Sequence, residues 1–153
     1  MMDEKVIAGA ELFAGLTPNE RASIVELCRE RTCSAGEAIV SEGNFGEEIY
    51  LLVNGKVRIE LTLTEDSGFV TVEQLSGGQL FGELALADRR NRSAIAECET
   101  HCEIVSIRCK DLLALLEREH RLGFVVMRNL SRILATRLRK TNAKLITSVL
   151  KDE

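Results

Sequence analysis

The stretch IYLLVNGKVRIELTL, from Ile49 to Leu63, decides the fold of this chain. Its first five residues are almost continuously apolar, and from Val57 onward apolar and polar residues alternate. Alternation with a period of two is typical of a strand with one buried and one solvated face. Asn54-Gly55, between the two segments, is typical of a two-residue hairpin turn. We therefore predict two strands joined as a hairpin at Asn54-Gly55.

Further short strands are predicted on the C-terminal side of this hairpin. Residues 65–68 (EDSG) favour a turn, and the apolar residues that follow return the chain as far as Leu75. Ser93 to Cys98 and Glu103 to Ile107 are predicted to be the closing strands. Short strands separated by regularly spaced turns indicate an all-β sandwich or jelly roll.

Helices are predicted on both sides of the strands. Thr17-Pro18-Asn19-Glu20 has the residues of a capping box, with proline at the first helical position, so a helix should run from there to about Arg29. Lys110 to Glu119 and Leu122 to about Leu150 have helical patterns. At 153 residues the chain suits a single domain. Its predicted parts are N-terminal helices at about 6–30, the strands at about 31–108 and C-terminal helices at about 110–150.

Composition excludes several classes of protein. No apolar run is long enough to span a membrane and no signal peptide is present, so we expect a cytoplasmic protein. The net charge of −4 argues against a general nucleic-acid binder. Five cysteines without a CxxC pair do not suggest a disulfide framework.

The last predicted helix is basic and carries an apolar seam. Between Leu122 and Leu150 there are six basic residues and no acidic one. Near-heptad spacing, which favours helix pairing, relates Met127, Leu134, Leu138, Thr141 and Leu145. We predict a parallel homodimer through this helix, with a helix folded back on its own barrel as the alternative. The basic face could meet nucleic acid or an anionic membrane, or simply face solvent and attract the acidic remainder of the chain.

A candidate binding site lies in FGELAL, from Phe81 to Leu86, and in Arg92-Ser93-Ala94 shortly after it. Glycine lets the backbone approach a ligand closely, and an arginine can bind two phosphate oxygens at once. Glu83 cannot serve a phosphate, but its carboxylate can accept hydrogen bonds from sugar hydroxyls. The stretch therefore contains the two halves of a ribose-phosphate site.

These residues resemble the phosphate-binding cassette of cyclic-nucleotide-binding domains. The resemblance is strongest to the sensor domain of the bacterial catabolite activator proteins, in which the cassette arginine is followed directly by serine. It extends from about Leu12 to about Leu145, through Leu12-Phe13, Gly36-Glu37 and Asn54-Gly55. The implied fold is mainly β with flanking helices: a double-stranded β-helix, or jelly roll, followed by a long C-terminal helix.

The resemblance also implies roles for individual residues. Glu83 would accept from the ribose hydroxyl, and Arg92 with Ser93 would bind the cyclic phosphate. Backbone N–H groups from Gly82 through Leu84 to Ala85 would complete the anion site. The apolar walls are expected to be Ile59, Val72 and Leu75.

Base recognition is expected from the long helix. Thr141 matches a threonine that meets adenine in the catabolite activators, but Asn142 stands where those proteins usually have serine. The expected ligand is therefore cAMP, with cGMP possible. Arg137 matches an arginine that could reach Glu83 or the ligand.

The chain lacks the DNA-reading helix-turn-helix of the catabolite activators, so direct sequence-specific DNA binding is not expected. We expect a non-enzymatic receptor without metal or cofactor, which couples ligand binding to repositioning of the C-terminal helix and acts through an unidentified partner or fused effector. One alternative is a ligand-free interaction or dimerisation module. Another is a metal or redox sensor built on Cys98, His101 and Cys102.

Overall fold

The computed structural model describes residues 4–40, 47–64, 68–82 and 94–151, with the side chains of all of them except 40, 61–64, 68–72 and 94. The helices are α1 (Glu4–Ala8), a 3-10 helix (Glu11–Phe13), α2 (Pro18–Leu27), α3 (Cys109–Arg118) and α4 (His120–Lys151). The strands are β1 (Cys28–Cys33), β2 (Ala38–Val40), β3 (Glu48–Asn54), β4 (Val57–Thr64), β5 (Gly68–Leu75), β6 (Leu80–Phe81), β7 (Ala94–Cys98) and β8 (Cys102–Arg108).

The described strands form two antiparallel sheets of four. The first sheet has the order β1-β8-β3-β6 and the second has the order β2-β7-β4-β5. Among the described strands, only β4 and β5 follow each other within one sheet, and each of the other six connections crosses from one sheet to the other. This arrangement, with helices on either side in sequence, is the predicted mainly β fold of the jelly-roll type with a long C-terminal helix.

The predicted hairpin at Asn54-Gly55 is wrong, although the turn itself is there. β3 pairs with β6 and β8, whereas β4 pairs with β5 and β7, so this turn joins the two sheets. Gly55 has φ = 109°, and an added Cβ would lie 2.6 Å from the carbonyl oxygen of His101. The glycine is thus required by a close crossing of two chain segments rather than by pairing of its flanking strands. The return of the chain after residues 65–68 is confirmed as the β4–β5 pair.

The predicted capping box is present, but the helix that it begins is shorter than predicted. The Thr17 side chain accepts from the Glu20 backbone N–H, and the Glu20 carboxylate accepts from the Thr17 N–H at 2.8 Å. The helix ends at Leu27 instead of about Arg29, because Cys28 is already extended and pairs with Ile107 across β1 and β8.

Two hydrophobic cores lie on opposite faces of the first sheet. Side chains such as Leu52 and Ile104 point between the two sheets, whereas Leu51 and Val105 point toward the helices. Helix α4 joins the helix-side core through one face. That face contains Leu122, Val125, Val126, Leu130 and Ile133.

Asn129, on the same face of α4, is 3% exposed and makes a polar link across the core. Its side-chain amide donates to the carbonyl oxygens of Leu12, at 2.9 Å, and Ala14, at 2.8 Å. Because buried backbone carbonyls need hydrogen-bond partners, this residue holds the N-terminal segment against α4.

The predicted seam of α4 is divided: Leu134 packs against the helix-side core, whereas the C-terminal part of the seam faces away from the barrel. Leu138 and Leu145 are each 62% exposed, and Val149 is 53% exposed. With Phe124, at 65%, they follow the helical period along one side of α4, opposite the face that packs on the barrel. The alternative of a helix folded back on its own barrel is therefore correct for the first half of α4 only, and it uses a different face.

Candidate functional site

Gly82 marks the point where the candidate site begins. It follows β6, has φ = 79°, and an added Cβ would lie 2.9 Å from the carbonyl oxygen of Glu48. Positive φ and close backbone contact both require glycine here. The chain leaves the first sheet at Gly82 and enters the second sheet at Ala94, so in chain order the cassette connects a strand of one sheet to a strand of the other.

The other cassette residues predicted to bind ligand lie outside the described part of the chain. They are Glu83, Leu84, Ala85, Arg92 and Ser93.

The predicted apolar walls lie on the neighbouring strands β4 and β5. Ile59 is half-buried and stands opposite Ala96 of β7, close to the point where the chain re-enters the second sheet. Leu75 is 2% exposed and stands opposite Val57, so it belongs to the core between the sheets rather than to an open wall. The backbone of Val72 lies in β5, but its side chain is not among those that the structure describes.

Arg137 connects α4 to the barrel. Its Nη2 donates to the carbonyl oxygen of Leu80 at 2.8 Å, two residues before Gly82. Its Nε lies 4.0 Å from Oε1 of Glu73 on β5. The structure therefore places the predicted Arg137 beside β6, the strand that precedes the cassette.

A cavity of about 90 Å³ lies at this junction of barrel and helix. Its lining includes Glu73, Leu80, Ile133 and Arg137, together with the charged residues Glu11 and Lys140. Acidic and basic side chains therefore line the same cavity, between α4, β5 and the 3-10 helix.

Thr141 and Asn142 lie one turn beyond Arg137 and are exposed. Four residues of helix advance about 6 Å, so these side chains come from the half of α4 that extends past its packed face. In the described part of the chain, the structure brings Arg137 to the barrel but leaves Thr141 and Asn142 exposed to solvent.

Leu80 and Glu73 were not predicted as site residues. Both contact Arg137 over a long sequence separation, so no local motif marks them. The sequence contained one indication of Glu73: it is a carboxylate directly after the apolar Val72, in a strand predicted to run beside the pocket.

The cysteines are core residues in this structure. Cys33 and Cys102 face each other across β1 and β8, and Cys98 lies buried in the same inter-sheet core. Burial raises the pKa of Cys28 to about 12 and raises the pKa of the Cys33 and Cys98 thiols as well. Protonated buried thiols react slowly, and among the described residues no three His, Cys, Asp or Glu side chains are grouped to bind a metal ion.

Within the described ranges, no helix combines the length and apolar character needed to cross a bilayer.

Comparison with known proteins agrees with this architecture. The model of the family described as "Cyclic nucleotide-binding domain" matches residues 30–119. The chain is 34% identical over 137 residues to the Cyclic AMP receptor protein of Thermus thermophilus, covering 90% of this chain and 61% of that protein. It is 38% identical over 91 residues to the cAMP-dependent protein kinase regulatory subunit of Mycosarcoma maydis, covering 60% of this chain and 17% of that subunit.

A solved structure shares the fold as well. The crystal structure of the Thermus thermophilus Catabolite Activator Protein is similar with a TM-score of 0.75 and 34% identity, over 89% of this chain and 62% of that one. The fold class is thus a β-roll with flanking helices. The chain belongs to the cyclic nucleotide-binding domain family, as predicted, and it spans less than two thirds of the length of these relatives.

Proposed function

We propose that this chain is a non-enzymatic receptor domain for a cyclic nucleotide, and that its ligand is cAMP. One observation carries the proposal: a residue set suited to a ribose phosphate directly follows Gly82 in the chain, and Arg137 of α4 donates to the carbonyl oxygen of Leu80 in β6, the strand that precedes Gly82. A ligand held there would act on both the barrel and the helix.

Each cassette residue has a chemical role in this proposal. Arg92 binds the cyclic phosphate, with help from Ser93 and from the backbone N–H groups of residues 82–85, among them Leu84 and Ala85. Glu83 accepts from the ribose hydroxyl. A charge-assisted hydrogen bond contributes about 1.5–3 kcal/mol, and breaking a buried charge pair costs roughly 3–5 kcal/mol. Loss of Arg92 should therefore remove most of the affinity.

The barrel strands and α4 complete the proposed pocket. Ile59 and Val72 form its apolar wall, and Leu75 supports that wall from the core. Thr141 and Asn142 read the base once the exposed half of α4 lies over the ligand. Asparagine can both donate to and accept from an adenine edge. The names of the two relatives also favour cAMP as the ligand over cGMP.

A homodimer through α4 is part of the same proposal. The exposed stripe that includes Leu138, Leu145 and Val149 runs along the side of α4 opposite its packed face. A second copy of the helix would cover this stripe with the same kind of surface. Ligand binding would then reposition α4 and alter what the pair presents to a protein partner or fused effector.

Thermal unfolding tests whether the chain is a receptor. A ligand at a hundredfold excess over its dissociation constant stabilises the native state by about 2.7 kcal/mol. The unfolding midpoint of the nucleotide-free protein should therefore rise with cAMP, and less with cGMP or with linear 5′-AMP. Arg92→Ala should lose the shift, whereas Arg132→Ala, which removes an exposed arginine of α4, should keep it. No shift with either cyclic nucleotide would favour the ligand-free module instead.

A further inference from the structure

Strand β6 consists of two residues whose side chains enter different cores. Leu80 is 5% exposed and belongs to the helix-side core with Ile133 of α4. Phe81 is 3% exposed, belongs to the inter-sheet core and stacks on Tyr50, with ring centroids 4.9 Å apart and planes inclined by 15°. A displacement of β6 would therefore disturb both cores at once.

The backbone of β6 is also bonded directly to α4. β6 is the edge strand of its sheet and pairs with β3 alone among the described strands. An edge strand has backbone groups that the sheet does not satisfy. The Leu80 carbonyl oxygen accepts from the Arg137 guanidinium at 2.8 Å, so a side chain of α4 takes the place of a further strand.

Glu73 stands beside this contact on β5, the edge strand of the other sheet. Its Oε1 lies 4.0 Å from Arg137 Nε, and the two side chains are 39% and 30% exposed. An isolated pair of this kind contributes little, but Glu73 can orient the guanidinium. Arg137 thus contacts the edges of both sheets.

We propose that β6 is the mechanical link between the ligand loop and α4. The link has a polar part, Arg137 on the Leu80 carbonyl, and an apolar part, Leu80 against Ile133. Glu73 is a positioning residue that aligns Arg137. Gly82 immediately follows β6 and lies so close to the Glu48 carbonyl oxygen that there is no room for a Cβ. A displacement at the start of the cassette would therefore move β6, and through β6 it would act on α4. The signalling role of this link depends on the proposed function, but the link itself does not.

Amide hydrogen exchange on the nucleotide-free full chain tests the link without any ligand. Arg137→Met keeps an unbranched side chain and removes the donor, and Arg132→Met is the matched control on the exposed side of α4. Loss of a charge-assisted bond at a partly exposed site should accelerate local exchange roughly three- to tenfold. We expect this acceleration in residues 78–82 and 133–140 of Arg137→Met. It should be smaller in Arg137→Lys and absent in Arg132→Met.

Glu73→Gln tests the positioning role. It should accelerate exchange in residues 78–82 at low salt and lose that effect at about 1 M salt, where exposed charge pairs are screened. Glu117→Gln on α3 is its control.

Two results would overturn the link. The first is equal exchange of residues 78–82 in Arg137→Met and Arg132→Met. The second is an equal acceleration of every peptide of Arg137→Met, which would mean only a loss of global stability. A wild-type protein that bound no cyclic nucleotide would reject the proposed function and leave this comparison intact.

Discussion

At the scale of single residues, Gly82 combines two constraints that can be measured separately. Its φ of 79° is unfavourable for any residue with a side chain, and an added Cβ would meet the Glu48 carbonyl oxygen at 2.9 Å. Gly82→Ala should therefore lower the free energy of unfolding by roughly 2–4 kcal/mol, as measured by chemical denaturation.

Gly36 provides the control for this prediction. It has a similar φ of 85°, but no atom of the described residues lies within 4 Å of an added Cβ. Gly36→Ala should therefore cost only the backbone strain, about 1–2 kcal/mol. Equal losses in the two variants would show that the close approach of Gly82 to β3 contributes nothing.

Single residues also differ in whether their part in a site can be predicted from the sequence. Glu83, Arg92 and Ser93 are predicted from residue type and spacing, because phosphate and ribose groups call for an arginine, a hydroxyl and a carboxylate. Leu80 contributes through a backbone carbonyl, which every residue has, and Glu73 through a partner that lies far away in sequence. Leu80 could not be found without the fold, and the sequence marked Glu73 only through its position directly after Val72.

At the scale of elements, the start of α2 gives a prediction about pH. The backbone N–H of Thr17 donates to the Glu20 carboxylate, and with Arg121 nearby this holds the pKa of Glu20 below its ordinary value of 4.5. A lowered carboxyl pKa adds stability that is complete above the unfolded value and is lost as the pH falls through the folded one. Glu20→Gln should therefore be less stable than wild type near neutral pH, and the difference should shrink below about pH 4.5.

Thermal unfolding between pH 3 and pH 7 measures this effect. The exposed Glu26 of the same helix supplies the control, because Glu26→Gln removes the same charge away from the capping box. A constant difference between Glu20→Gln and wild type over that range would contradict the prediction.

Short sequence motifs predicted the positions of helices and turns better than they predicted which strands pair. The capping box at Thr17 was found because all its contacts lie within four residues. Asn54-Gly55 marked a turn, but local conformation does not decide whether the next strand joins the same sheet, and here it joins the other one. The end of α2 was misplaced because pairing of Cys28 with Ile107 overrides the helical pattern.

At the scale of the whole molecule, the exposed stripe of α4 predicts self-association. Leu145→Glu should place a charge in the seam and convert the proposed dimer to a monomer, which sedimentation velocity would detect. Thr147→Glu introduces the same charge on the opposite side of the helix and should leave the dimer intact. A wild-type chain that sediments as a monomer at high concentration would contradict the proposed pairing.

The basic character of α4 has a consequence at the same scale. Residues 122–150 carry six positive charges and no negative one, whereas the whole chain has a net charge of −4. Paired helices would therefore repel each other unless the acidic remainder of the chains offsets them. This charge distribution is evident from the sequence, but the face of α4 that packs on the barrel became clear only from the fold.

The most direct test of the central claim is a calorimetric titration of the nucleotide-free chain with cAMP and cGMP. The proposed function predicts saturable binding of one cAMP per chain, with a free energy near −8 kcal/mol if the site is micromolar. Binding should be weaker for cGMP, lost in Arg92→Ala and retained in Arg132→Ala. A folded wild-type chain that gives no heat with either nucleotide, or an Arg92→Ala chain that binds cAMP as tightly as wild type, would contradict it.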